Sequence, residues 1–223
     1  TKLFREERER PVFMLVDGSA TMHFGTRRTF KSVVAAEAAA ILAWAACAGG
    51  DRVGGLLFSS SGHREVRPTS GQRGVLQLLK VLVDGTTQTA SERSGLAFAL
   101  NRLRRVARPG SLIFILSDFR QLDEEAERHL VLLSRHNDLL PFFIYDPLEH
   151  ELPPPGRYNV AGEAGTFAID TVKRSAREQY RQQFSHRLET LSSLFRKQGV
   201  RLAELATDDD VAAVLRLTLA GRT

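Results

Sequence analysis

Two apolar runs in this chain stop at acidic residues, and these acids are the first candidates for chemistry. Residues 12–16 (VFMLV) are followed by residues 17–21 (DGSAT), and residues 112–116 (LIFIL) are followed by Ser117 and Asp118. A short apolar run bounded by turn residues predicts a strand buried on both faces. If the two strands are neighbours in a parallel sheet, their aspartates meet at one edge of it.

The residue types at this edge suit a hard cation. Asp17, Ser19 and Thr21 alternate along a turn, so their oxygens would point toward a common centre. Two carboxylates in a partly dry site repel each other unless a cation or proton lies between them. Carboxylate and hydroxyl oxygens suit magnesium, calcium or manganese rather than zinc. We therefore predict a metal site at Asp17, Ser19, Thr21 and Asp118; the alternative is a turn in which Asp17 and Ser19 only cap backbone groups.

The elements that must position these residues alternate along the chain. Five nearly all-apolar strands are predicted, at residues 12–16, 53–58, 112–116, 139–145 and 200–205. Helices are predicted at residues 29–48, 75–83, 96–106, 123–136, 175–198 and 208–219. This pattern predicts a doubly wound α/β fold with a mostly parallel central sheet and helices on both faces. Residues 63–69 alternate as an antiparallel edge strand would, and residues 1–223 form a single domain with a small hairpin insertion around 153–170.

Composition narrows the classes of function. The formal charge is +5, but acidic residues are interleaved with the arginines, so a solvated surface without a nucleic-acid partner is expected. The single cysteine, Cys47, favours a reducing compartment, and we expect a cytoplasmic protein. No uninterrupted apolar run approaches about 18 residues, so no transmembrane helix is predicted. Because the chain lacks an initiator methionine, we expect it to be the C-terminal part of a longer protein, whose missing upstream residues could carry a membrane anchor.

Residues 17–21 resemble the Asp-x-Ser-x-Ser motif of the metal-ion-dependent adhesion site (MIDAS) in von Willebrand factor type A domains. Thr21 stands where that motif has its last serine, and Asp118 matches the distant aspartate of the same site. The resemblance implies a fifth ligand just before the helix at 96–106, where Ser94 stands. The nearby alternatives are Thr86, Thr87 and Thr89.

The chain is more closely similar to the bacterial domain of unknown function 58 (DUF58) family. Similar segments run through most of it, at residues 1–11, 50–54, 116–119, 146–149 and 151–153. The resemblance implies a von Willebrand factor A-like domain that binds Mg²⁺, or Mn²⁺ or Ca²⁺, and acts through protein–protein interaction rather than catalysis. It also implies a MoxR-type AAA+ ATPase or its client as partner, in the assembly or maturation of other proteins.

Two other functions remain as alternatives. A phosphotransferase or hydrolase could use Asp17, but haloacid dehalogenase-type chemistry needs a second acid two positions later, where Ser19 stands. The chain also lacks the Gly-x-Ser-x-Gly, phosphate-loop and Gly-x-Gly-x-x-Gly motifs. A nucleic-acid-binding protein could use the basic helix at 175–198, although Glu178 and Glu189 interrupt its positive charge.

Overall fold

The computed structural model describes residues 9–85, 94–162 and 165–221. Its strands are β1 Pro11–Asp17, β2 Arg52–Ser59, β3 Gly62–Ser70, β4 Leu112–Ser117, β5 Asp138–Tyr145, β6 Arg157–Gly162, β7 Gly165–Asp170 and β8 Ala203–Ala206. Its α-helices are α1 Lys31–Ala48, α2 Gln72–Asp84, α3 Gly95–Val106, α4 Glu124–Ser134, α5 Pro147–His150, α6 Arg174–Lys197 and α7 Val211–Ala220. A short 3₁₀ helix, Ala20–Met22, follows β1.

Six strands form one sheet in the order β3-β2-β1-β4-β5-β8. All neighbouring pairs are parallel except β2 and β3, which pair antiparallel at the edge. The predicted α/β fold with one antiparallel edge strand is therefore confirmed. The strands β6 and β7 form a separate antiparallel hairpin within residues 153–170. The hydroxyl of Thr171 closes the base of this hairpin by donating to the carbonyl oxygen of Pro154 at 2.8 Å.

The central strands are apolar because each of them faces two cores. In β1, Val12, Met14 and Val16 enter one apolar cluster, while Phe13 and Leu15 enter the other. The first cluster lies under α1, α2 and α7, and the second lies under α3, α4 and α6. A strand covered on both faces has no polar side to present, so its sequence reads as a continuous apolar run.

Helix α1 lies against the sheet with its small side chains. Ala35, Ala38 and Ala39 are fully buried, and alanine lets a helix backbone approach the strands closely. In the described part of the chain, α1 alone is long and apolar enough to cross a membrane by length and composition. The sequence of α1 does not form an uninterrupted apolar run, because it contains Lys31 and Glu37. In this fold one side of α1 packs against the core, while Val33 and Trp44 are 48% and 40% exposed.

The connections leave β1 and β4 toward opposite faces of the sheet. After β1 the chain passes through α1 on one face, whereas after β4 it passes through α4 on the other. Ligands of open α/β sheets bind at the carboxyl ends of strands where the connections diverge in this way. The residues that follow β1 and β4 therefore lie where this class of fold binds its ligands.

Candidate metal centre

The pairing of β1 with β4 brings the two predicted aspartates to one edge. Val16 lies beside Leu116 in the parallel register, so Asp17 and Asp118 follow at almost the same level. Both are buried, with 2% and 1% of their surface exposed. The hydroxyl of Ser117 donates to Oδ2 of Asp17 at 2.5 Å and fixes the direction of that carboxylate.

The turn after β1 adds two hydroxyl groups. The backbone N–H of Ser19 donates to Oδ1 of Asp17 at 2.9 Å, which closes the turn. The hydroxyl oxygens of Ser19 and Thr21 lie 3.2 Å apart. Gly18 lets the turn lie against β2, because a Cβ there would come within 3.3 Å of the carbonyl oxygen of Phe58. The structure thus brings together four of the five predicted site residues.

Ser94 is the fifth predicted residue, and its hydroxyl has another partner. It donates to the carbonyl oxygen of Ser60 at 2.8 Å, in the loop after β2. Among the described residues, no hydrogen bond joins the hydroxyl of Ser94 to the other four predicted ligands. Its assignment as a ligand remains a prediction. The alternatives Thr86, Thr87 and Thr89 lie outside the described residues.

Asp17 and Asp118 differ in their charged partners, and Asp17 has no positively charged one in the described part of the chain. Burial raises the pKa of its carboxyl group, the hydrogen bonds from Ser117 and Ser19 only partly offset that rise, and the charge of Asp118 adds to it. Among the residues that the structure describes, no lysine, arginine or histidine forms an ion pair with Asp17. A buried carboxylate without a counterion is costly, so this position favours either a proton or a bound cation.

Asp118 is in the opposite situation. The ammonium of Lys31 donates to its Oδ2 at 2.8 Å, and the two side chains are 0% and 2% exposed. The N–H of Arg120 donates to its Oδ1 at 3.0 Å. Burial raises the pKa of Asp118, but the charge and hydrogen bond of Lys31, followed by the bonds from Arg120 and Thr21, outweigh it and lower the pKa overall.

A third acid, Glu149, completes the charge cluster. Its Oε1 accepts hydrogen bonds from Lys31 Nζ at 3.0 Å and from Arg120 at 2.8 Å. Its Oε2 accepts the N–H of Asp146 at 3.0 Å and closes a capping box on α5. The segment 146–149, which resembled the DUF58 family in sequence, therefore places an acid beside the first residue of α1.

Asp146 connects the loops around this charge cluster by hydrogen bonds. Its buried carboxylate accepts the N–H and hydroxyl of Thr26 at 2.8 and 2.6 Å, the hydroxyl of Thr207 at 2.6 Å and the N–H of Leu148 at 2.9 Å. Burial raises the pKa of Asp146, but the hydrogen bonds from Thr207, Thr26 and Leu148 together lower it below its ordinary value. One side chain thus holds together the segments that follow β1, β5 and β8.

Helix α6 contacts the site from the other face of the sheet. Arg187 donates to the carbonyl oxygen of Asp118. The next residue, Phe119, is buried and has a φ of 53°, a left-handed conformation that is uncommon for a bulky side chain. Three other arginines of α6 also have protein partners, since Arg177 donates to Thr171, Arg181 to Glu178 and Arg196 to Glu189.

The family model described as "Protein of unknown function DUF58" matches residues 1–190. The chain belongs to the DUF58 family. Uncharacterized protein Rv1480 of Mycobacterium tuberculosis is 28% identical over 221 residues, which cover 97% of this chain and 68% of the relative. Uncharacterized protein Mb1516 of Mycobacterium bovis matches with the same values.

Solved structures share the fold of this DUF58 chain. BatB from Bacteroides thetaiotaomicron has a TM-score of 0.58 at 13% identity, covering 94% of this chain and 96% of that one. An aerotolerance-related membrane protein from Bacteroides fragilis has a TM-score of 0.57 at 14% identity, covering 94% and 97%. At such identities the likeness shows the fold alone. The family match confirms the expected DUF58 membership, and the strand order and these neighbours confirm the mostly parallel α/β fold.

Sequence reasoning missed the basic half of this DUF58 site. Lys31, Arg120 and Arg187 all contact Asp118, and Glu149 binds two of them. The available signal was a lysine at the start of an apolar helix, where a buried charge requires an acidic partner. The sequence does not show which acid Lys31 contacts, because that depends on how α1 crosses the sheet.

The donors present fit a hard divalent cation. Asp17 supplies a buried carboxylate that has no counterion among the described side chains, and the hydroxyls of Ser19 and Thr21 lie beside it. Within residues 9–85, 94–162 and 165–221, no group of three histidine, cysteine, aspartate or glutamate side chains could hold a metal ion. Any metal at this edge would therefore depend on hydroxyl ligands and water, which suits magnesium better than zinc.

Proposed function

We propose that this DUF58 domain is a metal-ion-dependent protein-interaction module. The observation that carries the proposal is the buried carboxylate of Asp17, which has hydroxyl groups beside it and no described cationic partner. Asp17, Ser19 and Thr21 would hold the ion, with Asp118 as the fourth protein ligand. Mg²⁺ is the first choice, and Mn²⁺ or Ca²⁺ would suit the same oxygens. When bound, such an ion supplies an open coordination position for an acidic side chain of a partner.

The protein's own charges favour an acidic partner. Arg120 lies at the edge of the site with its side chain 46% exposed, while its guanidinium contacts Glu149 and Asp118. An incoming carboxylate would meet this guanidinium first. We propose no catalysis, because the hydrogen bonds of Asp17 come from Ser117 and Ser19, and the neighbouring acid, Asp118, is held by Lys31 and by the N–H of Arg120.

An apolar cavity beside the site would add contact area. It has a volume of about 400 Å³ and lies between residues 23–30 and residues 148–159. Phe30, which lines it, is 49% exposed. An exposed aromatic side chain next to a polar centre is typical of the residues that contribute most to protein–protein binding. We expect the partner segment to carry an apolar side chain near its acid.

The partner that we propose is a MoxR-type AAA+ ATPase or a client of it, in keeping with the family resemblance. The similar protein from Bacteroides fragilis is described as a membrane protein. We propose that this domain works on the cytoplasmic side, either free or attached to the membrane through residues outside this chain.

Titration with Mg²⁺ and Mn²⁺ in a calorimeter tests the metal site. We expect saturable binding to the wild type and a loss of at least about tenfold in affinity for Asp17→Asn. Asp210→Asn is the matched control, because Asp210 only caps α7 through the N–H of Ala213 and asparagine caps equally well. Absence of saturable binding to the wild type would contradict the metal-dependent function.

A binding assay with the purified MoxR-type ATPase of the same genome tests the partner. We expect association in Mg²⁺ that is lost in EDTA and in Asp17→Asn, and that persists in Asp210→Asn. Equal association in Mg²⁺ and EDTA would show that the ion is not required for this partner.

A further inference from the structure

Lys31 is a buried cation inside the candidate metal centre. It is the first residue of α1, its side chain is 0% exposed, and its ammonium lies 2.8 Å from Oδ2 of Asp118 and 3.0 Å from Oε1 of Glu149. A buried ammonium is stable only with charged and hydrogen-bonding partners. The two acids meet that need, so the lysine belongs to the charge balance of the site.

We propose that Lys31 is a built-in counterion that competes with a divalent ion for Asp118. The site then has two forms. In one form, Lys31 binds both Asp118 and Glu149, as in this structure. In the other, Lys31 leaves Asp118 and keeps Glu149, and Asp118 turns to the ion. This inference rests on the proposed function, because it concerns the same ion.

Competition follows from the occupancy of Asp118. Its Oδ1 accepts the N–H of Arg120 at 3.0 Å and its Oδ2 accepts Lys31. A small divalent ion binds a carboxylate oxygen at about 2 Å, so an ion on Oδ2 would lie at most about 5 Å from the ammonium. Two positive charges at that separation in a buried place repel strongly. Binding of the ion to Asp118 and binding of Lys31 to Asp118 therefore oppose each other.

Glu149 makes the exchange possible without stranding Lys31. It already accepts a hydrogen bond from the ammonium, and the N–H of Asp146 holds its other oxygen at 3.0 Å. Lys31 thus retains an acidic partner when it leaves Asp118. Asp17 has no such counterion among the described residues, so it remains open to the ion throughout. The affinity of the site for the ion then depends on the difference in free energy between the form with Lys31 on Asp118 and the form with the ion on Asp118.

A charge-matched double variant tests the competition. Lys31→Met/Glu149→Gln removes one positive and one negative charge, so the net charge near Asp17 is unchanged. The glutamine introduced at position 149 would still accept the N–H of Asp146 through its amide oxygen. Calorimetric titration with Mn²⁺ and Mg²⁺ is expected to give an affinity at least about tenfold higher than in the wild type, because the ammonium no longer occupies Asp118.

The control changes a second ion pair, whose acid lies on α1, the helix that begins with Lys31. Arg28 and Glu37 contact each other at 3.1 Å and are about two-fifths exposed. Arg28→Met/Glu37→Gln makes the same charge changes away from Asp118 and is expected to leave the affinity within about twofold. Thermal unfolding in EDTA checks that each variant is folded. If the methionine variant is not folded, Lys31→Gln/Glu149→Gln replaces it, because glutamine keeps a hydrogen-bond donor toward Asp118.

The outcomes separate the two proposals. An affinity in the folded double variant that is no higher than in the wild type overturns the competition, whether or not the wild type binds metal. Binding by the double variant but not by the wild type supports the competition and overturns the metal-dependent function of the wild type. Binding by both, tighter in the double variant and unchanged in the control, supports both proposals.

Discussion

The two aspartates of the candidate centre are equally buried, yet their electrostatic surroundings are opposite. Burial raises the pKa of both. At Asp17 the hydrogen-bond donors among the described residues are the neutral groups of Ser117 and Ser19, which offset the rise only in part, whereas at Asp118 the ammonium of Lys31 helps to lower the pKa overall. Helix α1 follows β1 and begins with Lys31, and this lysine contacts Asp118, which follows β4. A residue type repeated at the ends of neighbouring strands can therefore take different roles, according to where the next helix begins.

The largest effect is expected when the counterion of Asp118 is removed alone. Lys31→Met leaves Asp118 and Glu149 buried without their ammonium, and we expect the free energy of unfolding to fall by about 3–5 kcal/mol. Urea denaturation in EDTA measures it. Lys80→Met, at an exposed position on α2, is the control and should change stability by less than about 0.5 kcal/mol. A loss below about 1 kcal/mol for Lys31→Met would remove the contrast between the two aspartates.

The next effect concerns the loops that carry Glu149 to Lys31. Asp146→Asn weakens the bonds from Thr26 and Thr207, and we expect a loss of about 2 kcal/mol near neutral pH. The folded-state pKa of Asp146 is lowered from 3.8, so its contribution is present above 3.8 and is lost as the pH falls through the folded value. The stability difference between wild type and variant should therefore shrink below pH 3.8. A difference that stays constant in acid would contradict the lowered pKa.

A smaller effect, with opposite signs, distinguishes the two aspartates directly. In EDTA, Asp17→Asn removes a buried charge that has no described counterion, and we expect stability to rise by about 1 kcal/mol. Asp118→Asn removes the charge of one of the two acids that Lys31 contacts and should lower stability instead. Thermal and urea unfolding of both variants under the same conditions measure the signs. Destabilisation by both substitutions would mean that Asp17 is already compensated in the folded protein.

The last comparison concerns metal affinity and separates the hydroxyls that lie near the two aspartates from the one that does not. Thr21→Val should reduce Mn²⁺ affinity about tenfold, because its hydroxyl lies beside Ser19 and contacts Asp118. Ser94→Ala should reduce it by at most about threefold, since its hydroxyl is engaged by Ser60. Calorimetry compares the two variants directly. A tenfold loss in Ser94→Ala would show that Ser94 changes partner when the ion binds.

The fold and one half of the site could be predicted from sequence because both follow from local rules. Apolar runs that end in turn residues gave the central strands, and neighbouring parallel strands bring Asp17 and Asp118 to one edge. The partners of Lys31 could not be predicted, because they lie 87 and 118 residues away in the chain. Residues 23–30 run as a loop rather than beginning the helix at 29, since Asp146 holds Thr26 from a distant segment.

Asp118 is contacted by helices from both layers of the molecule. Its carboxylate binds Lys31 of α1 on one face of the sheet, and its carbonyl oxygen accepts Arg187 of α6 on the other. The left-handed backbone at Phe119 sets the direction of the chain just beyond these contacts, and its ring packs edge-on against Phe195 of α6. A displacement of α6 would thus reach α1 through a single residue at the end of β4. Mechanical load applied to one outer layer would therefore have a polar route to the other at the edge of the sheet, in addition to the apolar contacts that both helices make with the strands.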